Sequence, residues 1–175
     1  VKKLLEANLV TSALGLFRVQ FESVVRAYWL LMVASNNDVL ELQVTSISDL
    51  FKNNKIPMAS AMIDALSRVV EIKHIVEHFR QFKLYSMNHL NSIVHSGSHS
   101  IIRRRAGVNI KQHNDVMKQT NHLTVMVAQI LLRHANKEQY MHHLNHKYRE
   151  CFLMEEDISS EEKGKIDAMY KKTRL

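Results

Sequence analysis

The stretch YSMNHLNSIVHSGSHSIIRRR, residues 85–105, holds Asn88, His89, Asn91, His95 and His99 within twelve positions, followed by Arg103, Arg104 and Arg105. Imidazole, carboxamide and guanidinium groups together supply the donors and acceptors that a phosphate or a ribose requires. An imidazole of ordinary pKa, about 6.5, can also take a proton from a ribose hydroxyl. If residues 84–95 are helical, Asn88, Asn91 and His95 fall at i, i+3 and i+7 on one face. Met87, Leu90 and Val94 then share another face, directed into a core. The polar row either lines a cleft or forms a hydrogen-bonded layer sealed between helices, which needs no ligand. Burying stacked polar groups dry beside an arginine triplet is costly, and a cationic cleft attracts phosphates. That reasoning predicts a cleft, with Arg18, Arg26 or Arg103 close to His95.

The remaining elements must position this row. The spacing predicts a first helix from Lys2 to Ala34, with Arg18, Glu22 and Arg26 at i, i+4 and i+8. Phe17, Phe21, Val24, Val25, Tyr28, Leu30 and Leu31 surround that charged stripe, and a helix apolar on most sides is central to its bundle. The stripe is then either partly buried beside a cleft or a plain surface ladder of salt bridges. Asp38 is placed to cap a second helix through Phe51. Pro57 suits a helix start, where its missing N–H costs nothing. No breaker follows before His95, and one helix of that length would span ~58 Å, so a kink or loop is expected between Glu71 and Lys83. Breaks follow at 96–98 and 106–109, then helices at about 110–134, 138–154 and 160–172. Ser159 with Glu162 matches a capping box for the last of these.

Composition agrees with an all-α fold: 175 residues contain four glycines and one proline, too little backbone punctuation for many short strands. Apolar residues make up 46% and charged ones 23%, a globular balance. The surplus of 24 Lys and Arg over 17 acids, a net charge of +7, favours an anionic partner such as nucleic acid or nucleotide, or is simply solvated surface. The single cysteine, Cys151, cannot form an internal disulfide and fits a reducing, cytoplasmic compartment. Arg18, Glu22 and Arg26 interrupt the best apolar run, so no membrane span is expected. No secretory signal is legible, and the opening on Val1 fits a trimmed fragment.

The helix LFRVQFESVVRAYWLL followed by HLNSIVHSG resembles the HEPN-like helical proteins (higher eukaryotes and prokaryotes nucleotide-binding), in particular their uncharacterised bacterial branches. The resemblance covers roughly residues 10 to 135. It implies an up-and-down bundle of four to five core helices over 1–135, with 136–175 as a C-terminal helical extension packed on the same domain. It also implies RNA as the partner, a homodimer, an antitoxin or other protein partner, and a metal-independent endoribonuclease of a bacterial defence or toxin–antitoxin system, with no cofactor. Laid on this chain, the family motif, an arginine and a polar residue followed by a histidine, puts its polar residue on Asn91 and its histidine on His95. The motif's arginine falls on Leu90, a departure. Arg18 or Arg26 from the first helix, or Arg103 from the following turn, would have to replace it. Otherwise the chain is a non-catalytic relative that binds or dimerises. In the active reading His95 deprotonates the ribose 2′-OH, Asn91 orients the phosphate and Arg26 or another arginine stabilises its charge. Asn88, His99, Arg18, Arg103, Arg104 and Arg105 then hold the RNA. Arg68 and His74, with five residues between them, satisfy the loose spacing as well, with Val69 where a polar residue is usual.

A long apolar first helix leaves surface that one domain does not cover, which also predicts a homodimer with the His95 region near its interface. Histidines at i, i+4 (His74/His78, His95/His99, His142/His146) and Glu71 with His74 keep a metal-binding helical bundle as a third reading. A second Glu-x-x-His is not evident, and His142, His143 and His146 are read as surface residues, so no metal ligand is assigned. The nine methionines and Trp29 are read as core.

Overall fold

The computed structural model describes residues 1–42, 56–84, 90, 110–148 and 151. The chain is all-α: among the described residues there is no strand. It divides into two compact units, one formed by Leu9–Gly107 and the other by Val1–Asn8 together with Val108–Leu175.

The first unit is built on α2, Val10–Met32, whose buried side carries Ala13, Leu14, Phe17, Phe21, Val24, Val25, Tyr28 and Trp29. These positions recur at three- and four-residue intervals, the repeat that keeps one helical face apolar. The face packs along α4, Ala59–Leu66, through Met62, Ile63 and Leu66, and α4 in turn meets α5, Lys73–Phe82. Rings join α2 to α5 directly. Phe21 stacks on Phe82 with centroids 4.0 Å apart, while Phe17 meets Phe82 and Tyr28 meets Phe79 edge-on at 5.2 and 5.5 Å. Ile72, Ile75, Val76, Phe79 and Leu90 complete this core.

The expected first helix is two. A short α1, Lys2–Glu6, ends where Asn8 takes φ 58°, and α2 begins at Val10. Asparagine enters the left-handed region more readily than other non-glycine residues, so it ends a helix without a glycine or proline. At the far end the amides of Val33 and Ala34 both donate to the Trp29 carbonyl. Ser35, not Asp38, is then the N-cap of α3, Asn36–Glu41: its Oγ accepts from the Asp38 amide while the Asp38 carboxylate accepts from the Ser35 amide. The Ser35 hydroxyl, donating to Asp38 Oδ2 at 2.7 Å, and secondarily the Ser35 amide hold the Asp38 carboxyl below its ordinary value. The expected continuation to Phe51 lies outside the described residues.

Pro57 precedes α4 rather than opening it, since the helix starts two residues later behind an extended Met58. The break expected between Glu71 and Lys83 comes earlier. Leu66 ends α4, Val69 is extended, and a 3₁₀ turn, Val70–Ile72, leads into α5. The Ser67 hydroxyl donates back to the Asp64 carbonyl, and the β-branched pair Val69–Val70 follows. Both features weaken helix propagation without the signature of glycine or proline.

The second unit contains α1, α6 (Ile110–His134) and α7 (Gln139–Lys147), with Leu5, Val116, Leu123, Met126, Ile130 and Met141 buried. Asn136, at φ 53°, ends α6. Its amide donates to Arg133 and that of Lys137 to Leu132, which satisfies the last carbonyls of the helix. The α6–α7 turn falls where expected. The helix expected at 160–172 and its Ser159–Glu162 capping box lie outside the described residues.

The ring cluster makes Phe21 the side chain on which the first unit most depends. Phe21→Ala is expected to lower the unfolding free energy by about 3–5 kcal/mol, measured by urea denaturation followed by far-UV circular dichroism. Val70→Ala, at a position 81% exposed, should leave the midpoint nearly unmoved. Equal effects from the two changes would show that the aromatic cluster does not organise the unit.

Candidate functional site

Helical geometry decides what becomes of the charged stripe on α2. Each step of four residues advances about 40° around the axis, so Arg18, Glu22 and Arg26 spiral away from the buried side. Arg18 is 20% exposed, Glu22 34% exposed, and Arg26 lies in solvent. One rung of the ladder forms: the Arg18 Nε donates to the Glu22 Oε1 at 2.9 Å. Among the described residues Arg26 makes no ion pair. The expected choice between a half-buried stripe and a surface ladder is therefore divided along the helix.

Arg18 carries the feature that bears most on chemistry. Its Nη1 is buried and makes no hydrogen bond among the described residues. A guanidinium has five N–H donors in a fixed plane, and a buried donor without an acceptor costs about 1–3 kcal/mol. Native proteins rarely carry such an atom unless a water or ligand satisfies it. With its Nε end held by Glu22, the group is oriented and still has donors to offer an oxyanion.

Of the candidate residues, the structure places Arg18 and Arg26 together on α2. Asn88, Asn91, His95, His99, Arg103, Arg104 and Arg105 lie outside the described residues. Leu90, where the HEPN-like resemblance would call for an arginine, is described: it is helical and 3% exposed. Position 90 therefore supplies packing and no phosphate contact. The other spacing match separates across elements: Arg68 sits exposed in the turn after α4, and His74 in the first turn of α5.

Among the described histidines, His74 and His78 are one turn apart on α5, and His143 and His146 are exposed on α7. No group of three or more His, Cys, Asp or Glu side chains able to hold a metal occurs among the described residues. His113 is a position that sequence reasoning did not single out. Its Nε2, near the start of α6, is buried and makes no hydrogen bond among the described residues. Nothing in its polar neighbourhood of sequence distinguishes it from the other histidines. Among the described helices none is long and apolar enough to cross a membrane.

Desolvation, and secondarily the charge of His74, holds the His78 imidazole below its ordinary value of 6.5, with Glu77 opposing. The folded chain therefore binds this proton less readily than the unfolded chain. Stability attributable to His78 is full above 6.5, falls as pH drops below it, and levels once the folded state also protonates. Thermal melts between about pH 7.5 and about pH 5 should fall less steeply for His78→Gln than for the wild type. Parallel profiles would remove His78 as a source of the pH dependence.

Comparison with curated proteins and with solved structures gives no match. The model of a family of unknown function, DUF6988, matches residues 1–154, nearly the whole chain, and the protein belongs to that family.

Proposed function

We propose that the chain is a HEPN-like RNA-binding protein in which Arg18, oriented by Glu22, anchors an RNA phosphate in place of the arginine that Leu90 replaces. The observation that carries this reading is the buried, unpartnered Nη1 of Arg18 beside a Nε already committed to Glu22. The net charge of +7 supports it by favouring encounter with a polyanion. In its active form the protein is a metal-independent endoribonuclease. His95 takes the 2′-OH proton, the 2′-oxygen attacks the adjacent phosphorus, and the 5′-oxygen leaves and is protonated from solvent. Asn91 orients the phosphate, Arg26 adds charge, and Asn88, His99 and Arg103 to Arg105 hold the flanking RNA. The setting is a cytoplasmic bacterial defence or toxin–antitoxin module, with an antitoxin or other protein partner and a homodimer as its assembly.

One observation favours a second reading. Leu90 is a core residue, so the motif position most directly tied to phosphate stabilisation has been given over to packing. A non-catalytic HEPN-like relative that binds or dimerises satisfies that fact without requiring a replacement.

Binding of a fluorescein-labelled single-stranded RNA, followed by anisotropy at fixed salt, tests the common ground of both readings. Arg18→Ala should weaken binding about 10–100-fold, the weight of one charge-assisted hydrogen-bonded group. Arg18→Lys should not restore it, because an ammonium cannot hold Glu22 and a phosphate in one plane. Cleavage in the presence of EDTA that is lost in His95→Ala, with binding and melting midpoint intact, selects the nuclease. Binding without cleavage selects the inactive relative. RNA affinity unchanged by Arg18→Ala would overturn the proposal.

A further inference from the structure

The start of α5 lacks the usual means of holding a helix end. Its N-cap is Ile72, whose side chain has no acceptor for the first amides, and the 3₁₀ turn Val70–Ile72 feeds into it. The helix nevertheless carries Phe79 and Phe82, the rings that meet α2. Its inner side is apolar through Ile75, Val76 and Phe79. Its outer side is built of donors. His74, Glu77, His78 and Gln81 are exposed and fall within about 100° of arc at 3.6 residues per turn. Lys73 and Arg80 emerge to one side of that arc, and Glu71 is exposed in the 3₁₀ turn just ahead of it.

We propose that His74 and His78 chelate one divalent late transition-metal ion, of the class of zinc, copper and nickel, in an exchangeable site that clamps the first turns of α5. Side chains at i and i+4 stand about 5–6 Å apart at Cβ. Imidazole nitrogens close on such an ion at about 2.0–2.1 Å, so both rings reach it without bending the backbone. After desolvation, the charge of His74 does most to lower the affinity of His78 for its proton, which makes the two rings near neighbours. Nitrogen donors select this class of ion over magnesium and calcium, which take oxygen.

The local charges bear on whether a cation is held there. The N-terminal end of a helix repels it, and the carboxylates of Glu71 and Glu77 oppose that repulsion. The Gln81 Nε2 donates to the Glu77 Oε1 at 3.4 Å, which keeps this carboxylate along the histidine arc. Two protein donors are fewer than the four of a structural zinc site or the three of a catalytic one. Water therefore completes the coordination, and the ion exchanges with solvent. The site stands apart from the RNA reading, whose cleavage calls for no metal. Its consequence is for the fold: an ion that binds only the folded helix shifts the folding equilibrium by mass action. The helix so held is the one whose rings pack on α2.

The test follows the melting midpoint of the full chain, freed of metal by chelator and dialysis, as zinc chloride is raised over roughly 1 to 100 µM. A rise of about 5 °C is expected at saturation, and none with magnesium chloride. His74→Ala and His78→Ala should each abolish the rise, and because both side chains are exposed the metal-free midpoint should stay near that of the wild type. In calorimetric titration with zinc the same variants should lose at least about tenfold in affinity. His99→Ala and His142→Ala each break another i, i+4 histidine pair of the sequence and should keep the rise. A midpoint that zinc leaves unmoved or lowers would overturn the proposal. So would a rise that survives His74→Ala, or one lost only with His99→Ala or His142→Ala.

Discussion

The packing of aromatic rings between α2 and α5 sets the rotation of α2 about its own axis. Phe17, Phe21 and Tyr28 recur at intervals of four and seven and so project from one side of the helix. Phe79 and Phe82 meet them from α5, through one stacked and several edge-on contacts. Burial of rings is favourable in any orientation, but their quadrupoles prefer offset and edge-to-face arrangements. That preference turns a general apolar contact into an angular constraint. Once the rotation of α2 is set, so is the direction of every other residue along it. The margin of the buried face receives Arg18, and the far side receives Leu16, Val19 and Arg26.

The margin is a particular environment for a guanidinium. An arginine stem covers apolar surface well while its head seeks polar partners, and Glu22 meets that need at the Nε end. The Nη1 end is buried without an acceptor among the described residues. Such a donor is a cost to the free protein, and a bound oxyanion removes the cost. Binding energy of that kind comes from a group oriented before the ligand arrives, so little side-chain freedom is lost on binding. Leu90 is the counterpart of this arrangement. Its burial in the core closes position 90 to chemistry.

How much of this was legible in the sequence differs from feature to feature, for physical reasons. The all-α class was legible, because four glycines and one proline leave few turns for a sheet. So was the inner face of α2, since apolar periodicity is the strongest local signal. Hidden were the breaks made by weak punctuation. Asn8 ends a helix by tolerating a positive φ, and Ser67 does so by bonding back to Asp64. Each is a small energetic preference that the surrounding packing allows to decide. The capping box was half legible: Asp38 was recognised, but the cap itself is Ser35. The charged stripe was legible as a set but not in its outcome, because the rotation that buries Arg18 and exposes Arg26 comes from ring packing against a helix distant in sequence. The row from Asn88 to Arg105, apart from the buried Leu90, lies outside the described residues.

Arg18 and Arg26 are the same residue type eight positions apart on one helix, and their surroundings give them different physics. Arg18 sits where water is largely excluded, so its field is weakly screened and its reach toward an oxyanion short and directional. Arg26 sits in solvent, where its field is screened within roughly 10 Å at ordinary ionic strength. Its weight in any contact therefore depends on being covered. Salt separates the two cases. An ion pair made by Arg18 should be only weakly sensitive to ionic strength. The attraction of an uncovered Arg26 should fade with added salt. Along one helix, then, the angle at which a cation emerges determines whether it acts as an oriented donor or as diffuse charge, and that angle is set on the opposite face by Phe17, Phe21 and Tyr28.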